Sequence, residues 1–162
     1  MRTAVQTAEG IYAKFGNDLE MIISDLGLIV LEEELAGRLS EVYFGDAIVV
    51  RRDLPRAVKR ELVAHAIGHH LMHAGNHLTL QDNTYSFGNY HEKQANVFAA
   101  WLLVPEAELT AKLEAGRSIP DLAHDFGVTD ELMLFRLQIR ELARYGAKDK
   151  SAGQDHKPLD RD

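Results

Sequence analysis

Arg60-Glu61-Leu62-Val63-Ala64-His65-Ala66-Ile67-Gly68-His69-His70-Leu71-Met72-His73 is the stretch on which the fold turns. Positions i and i+4 of an α-helix share one face a turn apart, so a helix here aligns His65 with His69. Two imidazoles so placed converge on one cation, and neutral imidazole nitrogen suits zinc. His73 falls on the same face but ~12 Å from His65 at ~1.5 Å per residue, too far for both to hold one ion. The pair His69/His73 has the same spacing and stays open on that ground. His70 turns ~100° away from His69. Leu62, Val63, Ile67 and Leu71 supply apolar faces, and Gly68 admits another backbone or a ligand. Five of the eight histidines lie between positions 65 and 77, a concentration that packing does not require.

A third donor has to come from elsewhere. Glu92 opens a run, His91-Glu92-Lys93-Gln94-Ala95-Asn96, that continues with Val97, Phe98, Ala99, Ala100, Leu102 and Leu103. Its alanines allow close packing on the histidine helix, and an antiparallel return would carry Glu92 to the histidine pair. Two histidines, a glutamate and one open position form a catalytic zinc set. Trp101 and Phe98 are expected in the core.

Working outward, apolar spacing predicts helices over Thr3–Phe15 and Leu19–Leu26. The run 27–31 predicts a strand. Leu39–Phe44 and Ala47–Arg51, joined by Gly45-Asp46, predict a small antiparallel sheet. Asp53 is a candidate cap and Pro55 a first-turn residue for the histidine helix, which is expected to reach Ala74. Asn76 to Tyr90 is polar without a period, as in a binding loop or lid. Helices follow over His91–Val104, Pro105–Glu114, Ile119–Phe126 and Thr129–Arg144. The expected class is α+β and mostly helical, with the sheet packed on the helices. The expected division is a core over residues 1–105, a helical part over 106–145 and a disordered tail over 146–162.

Composition narrows the function. Lys and Arg number 18 against 25 Asp and Glu, a net charge of −7. Bulk phosphate binding needs the opposite balance. With no cysteine, thiolate zinc fingers, iron–sulfur clusters, disulfide scaffolds and cysteine nucleophiles are excluded. No apolar run approaches the ~20 residues of a membrane helix. Met1 to Phe15 lacks a signal-peptide pattern, so the expected compartment is the cytoplasm. The turn Gly127-Val128-Thr129 resembles that of a helix-turn-helix. Yet residues 117–146 hold four arginines against five carboxylates, and the second helix opens on Asp130-Glu131. That charge argues against DNA and for packing or protein docking. Arg136, Arg140 and Arg144 form a stripe expected to be a solvated face.

Arg60–His73 together with Glu92–Pro105 resembles the two core motifs of the ImmA/IrrE family of metallopeptidases. The family pattern is an H-E-x-x-H helix followed by an E-x-x-A-[ND]-x-F-A-x-x-L-L-x-P helix, and the likeness extends over about residues 3–144. The resemblance implies a thermolysin-like minimal zinc-peptidase core, with His65, His69 and Glu92 as ligands to Zn2+ or another divalent metal. It implies an intracellular protein that acts on a transcriptional repressor of phage, mobile-element or stress-response genes. The departure is Ala66, where the family places the glutamate that takes a proton from the attacking water. Losing a general base typically lowers the rate by ~10²–10⁴. Metal binding does not depend on it, so the alternative is a non-catalytic metal-binding module that docks a repressor or regulatory peptide. Candidates to replace the base are Glu61, a turn earlier on the same helix, and Asp82 and His91, in or beside the loop.

Overall fold

The computed structural model describes residues 2–73, 77–80 and 90–152. The fold is α+β and mostly helical. Helices α1 (Arg2–Phe15) and α2 (Leu19–Leu26) lead into strand β1 (Ile29–Glu33), then β2 (Leu39–Phe44), β3 (Ala47–Arg51) and helix α3 (Arg56–Met72). Strand β4 (His77–Leu80) and helices α4 (Tyr90–Leu103), α5 (Glu106–Glu114), α6 (Ile119–Phe126) and α7 (Asp130–Ala152) complete the chain.

Local chemistry sets several boundaries. Asp18 accepts hydrogen bonds from the Glu20 and Met21 amides and starts α2. Gly27 ends it at φ 68°, donating to Ile23 and Ser24 in a left-handed cap that a side chain would oppose. Ser118 and Asp121 form a capping box at the start of α6. The expected Asp53 cap is replaced: Pro55 occupies the N-cap of α3, and no side chain caps that end. The helix stops at Met72, where His73 adopts extended backbone, rather than reaching Ala74.

The β2–β3 hairpin is antiparallel as the sequence predicts, but the sheet as a whole is mixed. Strand β1 pairs parallel to β3, from Ile29 opposite Ala47 to Glu33 opposite Arg51, so the order is β1-β3-β2-β4. Because β3 folds back from β2 into the place beside β1, it becomes a central strand, and Ile48 and Val50 are buried on it. The polar stretch after α3 contributes β4, antiparallel to β2. The remainder of the expected loop, including Asp82, lies outside the described residues.

The core fills the space between one face of the sheet, α3, and the helices behind it. Tyr43, Ile48 and Val50 face α3; Val63, Ala64, Ala66, Ile67 and Gly68 are buried within it; α1 packs on α4 through wholly buried Ala4 and Ala8. Phe98 is core, as expected, and Trp101 packs at its margin.

Two expectations for the C-terminal part change. Helix α7 continues to Ala152, seven residues into the segment expected to be a tail, and residues 153–162 lie outside the description. The arginine stripe is not a solvated face. Arg136 is wholly buried and Arg140 is nearly so, while Arg144 is exposed. The Arg136 Nε donates to the Val104 carbonyl at 2.9 Å, and its Nη2 donates to Glu106 at 2.8 Å. Its guanidinium lies 3.6 Å from the centre of the Trp101 ring, a stacked cation–π contact. Arg140 donates to Glu106 at 2.7 Å and to Thr110 at 2.9 Å. A buried guanidinium is tolerated when it is paired and hydrogen-bonded, as the Arg136 Nε and Nη2 are, although the Arg136 Nη1 is buried without a hydrogen-bond partner. Among the described residues, no helix is long and apolar enough to cross a membrane.

Candidate metal centre

Helix periodicity brings His65 and His69 onto one face of α3, as the spacing predicts. Their Nε2 atoms stand 3.1 Å apart, with the rings at 63° to one another. Glu92, in the first turn of α4, meets them from the adjoining helix. Its Oε2 lies 3.3 Å from the His65 Nε2 and its Oε1 3.2 Å from the His69 Nε2. Both histidines are buried, and the Glu92 side chain is 23% exposed. The hydrogen bonds with His65 and His69 hold the Glu92 carboxyl far below the usual carboxylate range, outweighing the opposing effect of its burial.

Gly68 is what lets α4 come this near. A Cβ at this position would stand 2.9 Å from the Phe98 Cδ1 and 3.2 Å from the Ala95 Cα. The alanine-rich face of α4 and the missing side chain on α3 together set the depth at which Glu92 arrives.

The donor set fits a divalent cation. On a tetrahedral ion with bonds of ~2.0–2.1 Å, two ligand atoms stand ~3.3 Å apart, close to the separations found here. Two Nε2 atoms in contact can share at most one proton between them, whereas a cation between them would use both lone pairs. Among the described residues, His65, His69 and Glu92 form the one such group. Among the described residues, the alternative pair His69/His73 is not joined by a third donor of this kind. His73 turns its ring onto His91 in a parallel stack at 4.2 Å, with His69 at its edge 5.3 Å away.

Ala66 lies one residue beyond the first imidazole and is wholly buried, and its methyl group cannot accept a proton. Glu61 does not take over that position. Its carboxylate accepts from the Thr129 amide and from the Thr129 hydroxyl, which itself caps α7 by accepting from the Leu132 amide. Glu61 therefore faces the start of α7, a contact that sequence spacing gave no means of finding. His70 is likewise engaged elsewhere, with its Nδ1 2.7 Å from the Tyr43 hydroxyl.

A small mixed sheet laid on a helix that carries two imidazoles, met by a carboxylate from the next helix of the chain, defines a zincin-like metallopeptidase-type protein. The chain belongs to the Peptidase M78 family, whose IrrE N-terminal-like domain matches residues 24–138. No curated protein matches the chain.

Proposed function

We propose that His65, His69 and Glu92 hold a zinc ion, and that the protein acts in the cytoplasm on a transcriptional repressor by binding and slowly hydrolysing a peptide segment. The observation that carries this reading is the convergence of three donor atoms, from two helices, at separations of 3.1–3.3 Å. A bound divalent cation supplies Lewis acidity to a scissile carbonyl. The chain's own groups do the rest. Burial of His65 and His69 keeps bulk water from the donors, and Glu92 brings the anionic charge that offsets the cation. Ala66 provides no group to accept a proton from an attacking water, and Glu61 is committed to Thr129. Hydrolysis then proceeds ~10²–10⁴ more slowly than in a chain with glutamate at that position.

The fully buried methyl of Ala66 also favours a second reading, in which the site keeps its metal and docks a repressor or regulatory peptide without cutting it. For either reading, a protein partner is supported over DNA. Arg136 and Arg140 are spent on Glu106, and α7 opens on two carboxylates.

Two measurements test the proposal. Protein purified without a histidine tag should carry near-stoichiometric zinc, and a His65→Ala/His69→Ala variant should carry none. Candidate repressors should be cut slowly by this chain and much faster by Ala66→Glu. Cutting by Ala66→Glu alone favours the docking reading. If zinc is bound but neither form cuts or binds any repressor, the proposed substrate class is wrong.

A further inference from the structure

A cleft of about 550 Å³ opens between the start of α2, the first two turns of α3 and the edge strand β1. Sites for small ligands have this order of volume. The floor is aliphatic: Leu19 and Ile23 come from α2, Val30 and Val50 from the sheet, and Val63 from α3. Leu19, Val50 and Val63 are buried. The basic side of the cleft is Arg56, Lys59 and Arg60. Arg56 and Arg60 are four residues apart on α3 and so share one of its faces. The cleft is separate from the metal centre, since neither His65, His69 nor Glu92 lines it.

Three carboxylates also line the cleft, and two of them are engaged. Glu32 pairs with Lys59 at 2.6 Å. Asp18 accepts the Glu20 and Met21 amides as the cap of α2. Glu20, the third, is exposed. Among the described residues, Arg56 pairs with no carboxylate, and Arg60 donates from its Nη2 to the Asn17 carbonyl at 3.3 Å, a long bond. The Arg60 Nε is buried without a hydrogen-bond partner. Burial and the neighbouring Arg56 charge lower the Arg60 pKa, and Asp18 does not offset them. Two guanidiniums thus border an aliphatic floor with less negative charge around them than they carry. A guanidinium fork matches a planar carboxylate, and the floor suits a group with an apolar body behind that charge. Free phosphate would use the charge and leave the floor wet.

We propose that the cleft binds a carboxylate carried on a branched aliphatic group, with the carboxylate held by Arg56 and Arg60 and the aliphatic group resting on Leu19, Ile23 and Val50. A free branched acid and the last residue of a peptide share this chemistry, and β1 distinguishes them. Ile29 and Glu33 bond inward to Asp46 and Arg52, so Val30, which lines the cleft, turns its backbone N–H and C=O to the open edge of the sheet. A chain end can pair with these groups as an added strand, and a free acid has no backbone with which to do so.

An NMR titration of the nitrogen-labelled chain tests it, because arginine Nε–H signals are read directly. 4-Methylpentanoate should move the Arg60 Nε–H signal and bind with a Kd of about 1 mM, as suits so small a ligand. Arg56→Gln and Arg60→Gln should each weaken binding by ~10-fold or more. Arg56 is exposed, so its variant should melt with the parent and guards against a loss that is only unfolding. His65→Ala/His69→Ala should bind the acid as the parent does, which separates this cleft from the metal centre. The peptide N-acetyl-Ala-Ala-Leu binding more tightly than the acid assigns the site to chain ends, and no gain assigns it to free acids. The proposal is overturned if neither acid nor peptide moves the signal, or if the neutral 4-methylpentanamide or inorganic phosphate binds as tightly as the acid. Undiminished binding by Arg56→Gln, or its loss in the histidine variant, overturns it equally.

Discussion

Replacing Gly68 by alanine tests whether the close approach of α3 and α4 sets the metal geometry. Carbon atoms rest ~3.5–4.0 Å apart, so the new methyl stands ~0.6 Å too close to the Phe98 Cδ1 and ~0.3 Å too close to the Ala95 Cα. Phe98 is wholly buried and has no solvent to swing into, so α4 must retreat by a few tenths of an ångström. Overpacking of this kind destabilises by ~1–3 kcal/mol, and exchanging glycine for alanine inside a helix returns ~1 kcal/mol. The net, about 1 kcal/mol, lowers the melting temperature of a chain this size by ~2–4 °C. The metal centre should suffer more. Glu92 rides on the retreating helix, and donors 3.1–3.3 Å apart leave little slack, so zinc affinity should fall ~10-fold, about 1.4 kcal/mol. Calorimetric melting without metal and competition against a chelator measure the two effects separately. A variant that melts no lower than the parent and binds zinc equally well would refute the reasoning.

Other predictions concern the contacts that tie the C-terminal helices to the core. Glu61→Ala removes the acceptor for both the amide and the hydroxyl of Thr129 and should destabilise by ~1–3 kcal/mol in urea unfolding. Its zinc content should not change; a loss of zinc would place Glu61 nearer the metal than the structure does. Arg136→Met should lose ~1–3 kcal/mol, because Val104 and Glu106 lose a donor while Glu106 keeps Arg140. A variant as stable as the parent would count against the Trp101 stack and its hydrogen bonds. Glu106 gives a pH test. Burial pushes its pKa up, but hydrogen bonds from Arg140 and Arg136 prevail and hold it below the ordinary carboxylate value. A group depressed in the folded state contributes stability above its unfolded pKa of ~4.3 and loses it as pH falls through the folded value. Glu106→Gln should therefore melt less steeply with acid than the parent below about pH 4.3, and parallel curves would contradict that contribution.

The parts of the fold that were legible in the sequence are those fixed by local chemistry. The four-residue spacing of His65 and His69 needed only the helix repeat, and Asp18, Gly27 and Ser118 act within one turn of themselves. Glu92 was found because the run behind it is small and apolar on one side. What stayed hidden depends on partners distant in the chain. The spacing of Arg136 and Arg140 is the same for a solvated face and a buried one; Glu106 and the Val104 carbonyl, some thirty residues earlier, decide between them. Glu61 meets Thr129 across sixty-eight residues. The apolar run of β1 announces a strand but not its neighbour, and a parallel partner leaves no local mark. Asp53 loses the cap because Pro55, two residues on, already has the backbone shape that position needs.

Trp101 is the sole tryptophan in the chain, and it lies directly beneath the Arg136 guanidinium. Its emission is therefore a built-in optical gauge of whether α7 is seated on α4. Detachment of the C-terminal helix would change the colour and quenching of one known fluorophore while circular dichroism still registered intact helices, so any loosening of α7 ahead of the remaining structure would be visible without a label.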